Sequence, residues 1–178
     1  MFDLPTSVTV SGCEYPIRTD FRVILEIFVM LDDPDLTDAD KTAALLRMFY
    51  VNQPPDAEDA LRAFTDFVDP RHGSQGKKSS GRLIDRSLDF DLMVAPINHI
   101  LGFECRAVEY LHWRTFLSAY LEIPPESVFA RVLRIREKLR TGKKLEKNER
   151  AWYNKNRELV HLKPKFSRAE EELIEAWT

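Results

Sequence analysis

Two Glu-x-x-His spacings, Glu109 with His112 and Glu158 with His161, are the residues of this chain best suited to chemistry. Positions three apart share a helical face, so each pair would set a carboxylate beside an imidazole, the ligand pattern of two-iron carboxylate bundles. Such a centre also needs carboxylates from two further core helices. Glu26 and Glu104 are the best donors outside the charged C-terminal part, yet Glu104 falls on the same expected helix as the first pair. The second pair lies in a stretch with little apolar surface to hold it in a core. The spacings therefore read as solvated or hydrogen-bonded helix residues, with no metal and no cofactor expected. Gly76-Lys77 departs from a phosphate loop, because Arg71 stands where the first glycine is required and Lys78 where Ser or Thr is required. With no zinc-protease motif or nucleophile elbow present either, the chain is expected not to be an enzyme.

A second pattern concerns recognition. Arg131, Arg134, Arg136, Lys138, Arg140, Lys143, Lys144, Lys147 and Arg150 fall close together and are followed by Trp152 and Tyr153. Such a run could track phosphates while the aromatic rings stack on bases. Glu137, Glu146 and Glu149 interrupt it at spacings that form helical ion pairs, which suits a solvated face that docks a protein equally well. Arg134, Lys138, Trp152 and Tyr153 are the expected partner-binding residues. Nucleic-acid binding through residues 131–150 is the alternative, and the two-metal enzyme a remote one.

The elements that would position these residues are mostly helices around one central, buried helix. Phe103 to Leu121 is rich in aromatic and aliphatic side chains and is bounded by Gly102 and Pro124-Pro125. Its apolar residues wrap more than half of a cylinder, with Trp113 and Phe116 as expected core anchors. Ser7–Val10 and Cys13–Arg18 around Ser11-Gly12 predict a short N-terminal β-hairpin with Pro16 at an edge. Three amphipathic helices follow, over about 21–31, from Thr37 to about Val51, and after Pro54-Pro55-Asp56. Residues 70–82 hold no apolar anchor and read as a mobile loop. Periodicity returns over Leu83–Leu101, with Pro96 as a break or kink, and over Val128–Arg140. A charged helix is expected over Lys143–Leu162, and Ser167 with Glu170 predicts a capping box for a last short helix.

The fold class is thus mainly α with an N-terminal hairpin. The 178 residues, 44% hydrophobic and 31% charged, suit a helical core domain over 1–140 and a charged extension over 141–178. A net charge of −3 excludes global attraction to nucleic acid or anionic membrane. Cys13 and Cys105 stand far apart, with neither metal spacing nor a disulfide framework, which fits a reducing cytoplasm. No leader or membrane span is expected.

The arrangement also carries a resemblance. Leu4-Pro5 before the hairpin, Thr19-Asp20-Phe21-Arg22 after it, then Leu111-His112-Trp113 with Phe116 behind, and Val132-Leu133-Arg134-Ile135-Arg136, resemble the phage family named for gene product fifteen. The likeness runs from Leu4 to about Leu145. It implies a tail-assembly chaperone of tailed phages and prophages that binds the tape-measure protein, self-associates, works in the host cytoplasm and has no catalytic residues. Membrane is not an expected partner.

Overall fold

In the computed structural model, which describes residues 3–69, 83–162 and 166–176, the chain opens with an antiparallel hairpin of β1 (Ser7–Val10) and β2 (Cys13–Pro16). Its two turn residues, Ser11 and Gly12, have φ of 48° and 79°. Both are left-handed, the backbone that matches a two-residue turn to the twist of its strands. The turn is pinned from outside. The Ser11 N–H donates to Asp59 Oδ2 at 2.6 Å and its hydroxyl to Asp56 Oδ2 at 3.0 Å. Asp56 also caps the helix that follows, and its carboxyl is held below the ordinary range by the Asp59 N–H first and the Ser11 hydroxyl second. Val10 and Ile17 are buried, so the hairpin leans its apolar face on the helices as its alternation predicts.

Three helices follow: α1 (Phe21–Leu31), α2 (Asp38–Phe49) and α3 (Ala57–Val68). Each begins where a side-chain oxygen takes up an orphan backbone N–H, namely Asp20, Thr37 and Asp56. Their core is aromatic. Phe49 meets Tyr50, Phe64 and Phe67 at ring-centre distances of 4.9, 5.0 and 5.3 Å. Arg18 closes the C-terminus of α2, its Nη1 donating to the carbonyls of Arg47, Met48 and Tyr50.

Beyond residues 70–82, the expected mobile loop, which lies outside the described residues, come α4 (Arg86–Leu101), α5 (Trp113–Leu121), α6 (Val128–Arg140), α7 (Lys147–Lys155), α8 (Arg157–Val160) and α9 (Arg168–Ala176). α4 continues through Pro96 and ends at Gly102, whose φ of 78° is the left-handed stop. Two expectations need correction. The central helix begins at Trp113, not Phe103. Residues 103–112 instead form turns, because the Asn98 and Glu104 side chains take the N–H groups of Cys105 and Arg106. The charged C-terminal helix is two helices, because Asn156 leaves helical backbone with φ −129° and ψ 34° and returns its amide to the Trp152 carbonyl at 2.8 Å. The Ser167–Glu170 capping box forms as expected.

By packing, residues 3–69, 109–117 and 166–176 form one compact unit, and residues 83–108 and 118–162 another. Residues 140 and 141, between which the sequence reading divides the chain, both lie in the second. No helix among the described residues is long and apolar enough to cross a membrane.

Candidate functional site

In the first unit, two of the stretches that carry the family resemblance meet, Thr19–Arg22 and Leu111–Trp113. Asp20 and His112 form an antiparallel bridge, with the Phe21 N–H on the Leu111 carbonyl at 2.9 Å and the Trp113 N–H on the Thr19 carbonyl at 2.6 Å. Asp20 therefore does three jobs: it caps α1, accepts from the Leu111 N–H and pairs with Arg22 at 3.0 Å. His112 is buried. Its Nδ1 accepts from the Arg114 N–H at 3.0 Å, so Nε2 carries the hydrogen and donates to the Pro5 carbonyl at 2.9 Å. Trp113 donates its indole N–H to the Val68 carbonyl at 3.1 Å, and Phe116 stacks on Phe21 at 4.5 Å. Trp113 and Phe116 are thus core anchors, as their sequence context predicts.

The same geometry removes the metal reading. Glu109 and His112 lie before α5, so the helical face that would align them does not exist, and both ring nitrogens of His112 are engaged. Glu158 lies in α8 while His161 follows it as the C-terminal cap, its Nε2 bonded to the Tyr153 hydroxyl at 2.7 Å. Glu104, offered as a third ligand, is turned to Arg106 and Asn98. Those bonds, the Arg106 guanidinium first, hold its carboxyl at about 2.

In the second unit, three of the four expected partner-binding residues come together. Arg134, Lys138 and Trp152 line an open pocket of about 520 Å³ between α6 and α7, with Arg131, Glu146, Asn148 and Glu149. Lys138 Nζ lies 2.7 Å from both Glu149 carboxylate oxygens, and Arg134 Nε is 3.5 Å from one of them. These bonds raise the Lys138 pKa and lower that of Glu149. The Arg131 guanidinium sits over the Trp152 ring at 5.4 Å. Part of the basic run is therefore spent on fastening α7 to α6. Tyr153 does not line this pocket; it faces His161, with the Arg157 guanidinium 5.6 Å from its ring centre.

The residue that organises this unit is one the sequence reading left inside the basic run. Arg136 is only 6% exposed. It makes a bidentate pair with Asp89 of α4 at 2.5 and 2.9 Å, and donates to the carbonyls of Leu83, Leu159 and Val160 at 2.9, 2.7 and 2.8 Å. One planar fork thus ties α6 to α4, to the end of α8 and to the approach to α4. Above the pair opens a groove of about 670 Å³, lined by Leu88, Leu92 and Leu159 with Arg157, Glu158 and His161 at its polar margin. Leu88 is 56% exposed at this groove. The signal for this site was present: Asp89 and Arg136 each stand on a helical row of apolar residues, Asp89 with Met93 and Ile97, and Arg136 with Phe129 and Val132.

Compared with known proteins, residues 1–162 match the family model described as Bacteriophage Gp15 protein. No curated protein and no solved structure matches.

Proposed function

The chain belongs to the bacteriophage Gp15 protein family, and on that premise we propose that it is a tail-assembly chaperone, a non-enzymatic protein that self-associates and binds the helical tape-measure protein in the host cytoplasm. The family match across residues 1–162 is the observation that carries the reading. A tape-measure chain is long and helical and must stay soluble until the tail tube closes round it, so its chaperone needs repeated contacts of modest strength with amphipathic helices.

The second unit supplies a surface suited to such contacts. The groove of Leu88, Leu92 and Leu159 offers aliphatic area to the apolar stripe of a helix. Arg157 and Glu158 at its margin suit the mixed charges that flank such a stripe. The pocket of Arg134, Lys138 and Trp152, between α6 and α7, adds a cationic and aromatic contact in the same unit. The test is co-expression with the tape-measure protein encoded nearby. The proposal expects soluble tape-measure protein with the native chain and insoluble protein with Leu88→Asp or Leu159→Asp. Equal solubility with and without this chain would overturn it.

A further inference from the structure

We infer that copies of this chain join through unlike surfaces, the acidic surface around the start of α2 on one copy seating on the basic surface of α6 and α7 on the next. The inference deepens the self-association just proposed and rests on that reading, while its evidence is the distribution of charge. Residues 1–69 hold fourteen Asp and Glu against five Lys and Arg, a net charge of −9. Residues 131–157 hold eleven Lys and Arg against three Glu, a net charge of +8. The whole chain sums to only −3, so the global charge that would keep copies apart is small, while two strongly unlike surfaces remain to attract.

Local ion pairs do not remove either excess. In the basic segment, Glu137 pairs with Arg140, Glu146 with Lys138, and Glu149 with Lys138 and Arg134, which engages all three carboxylates. Lys143, Lys144, Lys147, Arg150 and Lys155 stand exposed around them. In the acidic segment, Arg22 pairs with Asp20, Arg62 with Glu58 and Asp59, and Arg18 is turned to the carbonyls that end α2. Asp35, Asp38 and Asp40 are exposed within a stretch that also holds Asp32 and Asp33. Their contacts are with neutral donors: Asp33 accepts from the Asp35 N–H, Asp35 from the Arg168 backbone N–H, and Asp40 from the Thr37 hydroxyl. Each leaves acceptor capacity for a guanidinium or ammonium group.

A contact between unlike surfaces differs from a twofold dimer. A joined pair still presents one unused surface of each kind, so addition repeats until a ring closes or a filament runs on. That is the arrangement a coat along an extended client requires.

The test needs no client, so its failure is separable from failure of the chaperone reading. Light scattering after size exclusion, on the full chain, should find assemblies at about 50 mM salt that dissociate by about 500 mM, with association weakened at least roughly tenfold. Two neutralised variants isolate the surfaces: Asp33→Asn with Asp35→Asn and Asp38→Asn, and Lys144→Gln with Lys147→Gln and Arg150→Gln. Each alone should be monomeric with unchanged far-ultraviolet circular dichroism. Mixed, they should form a one-to-one dimer and stop, because only one intact pair of surfaces remains. A monomeric native chain at low salt, assemblies indifferent to salt, or variants that assemble like the native chain would each overturn the inference. So would a monomer whose basic surface captures duplex DNA.

Discussion

Replacing Arg136 by Met tests whether one side chain holds the second unit together. Asp89 and Arg136 have side chains only 2% and 6% exposed, so removing the guanidinium strands a carboxylate in the interior. Breaking a buried pair from one side costs about 3–5 kcal/mol, against roughly 5–15 kcal/mol of stability for a whole domain. Three carbonyls lose their donor as well. Those of Leu83 and Leu159 belong to residues with enough exposure to recruit water, whereas Val160 is 2% exposed, and one stranded carbonyl adds about 1–3 kcal/mol. The double variant Arg136→Met, Asp89→Leu removes the stranded charge and keeps the carbonyl loss, adding only the loss of the bond from the Asp85 N–H to Asp89 Oδ2 at 2.8 Å. It should therefore be more stable than Arg136→Met alone, with a coupling of about 2–3 kcal/mol in the double-mutant cycle. Urea unfolding of the four proteins gives the cycle. Amide exchange should report the end of α8 as the first part to open, because two of the five bonds terminate there. A loss below about 1 kcal/mol for Arg136→Met, or additive single effects, would refute the reasoning.

Three further outcomes follow from buried or bonded groups. His112→Phe keeps the ring volume but loses both hydrogen bonds, stranding the Pro5 carbonyl and the Arg114 N–H. A loss of about 2–4 kcal/mol in urea unfolding is expected, and near-native stability would contradict the assigned bonding. Tyr50 donates its hydroxyl to the Ala60 carbonyl at 2.8 Å, and burial pushes its pKa up to about 12. A raised phenol pKa gives stability that is complete below about 10 and fades as pH climbs towards 12, here roughly 2–3 kcal/mol. Tyr50→Phe should flatten that alkaline limb, and an unchanged limb would exclude Tyr50 as its source. Glu104 shows the opposite sign: its lowered pKa gives stability that is present above the ordinary carboxyl range and fades as pH falls towards about 2. Glu104→Gln should flatten the acid limb of the stability profile measured by thermal unfolding.

Local signals were legible in the sequence because local chemistry decides them. Asp20, Thr37, Asp56 and Ser127 are short polar side chains before apolar periodic runs, and each caps the helix expected after it. Ser11-Gly12 between alternating residues was equally readable as a hairpin turn. The error over 103–112 has a specific cause. Apolar and aromatic content suggested helix, whereas the backbone of this segment is claimed by distant partners, Thr19 and Asp20 for its end and the Asn98 and Glu104 side chains for its start. Propensity cannot reveal a partner ninety residues away. Asn156 breaks the charged helix for a local reason: a side chain able to bond the preceding turn favours leaving helical backbone.

The candidate site was half legible. Arg134, Lys138 and Trp152 share a pocket because positions 134 and 138 lie one turn apart on α6 and α7 folds back across them. Arg136 was hidden by its neighbours: among so many cations it looked solvated, and only its place on the row of Phe129 and Val132 marked it as buried. The exposure of Leu88 and Leu159 was not legible, because sequence periodicity registers an apolar face without saying whether anything covers it.

The most direct measurement for the chaperone reading is the mass, by light scattering after size exclusion, of whatever elutes when the chain is co-expressed with its neighbouring tape-measure protein. The account predicts a soluble complex holding several copies of this chain per tape-measure molecule. A tape-measure protein left in the pellet, with this chain eluting alone, would contradict it.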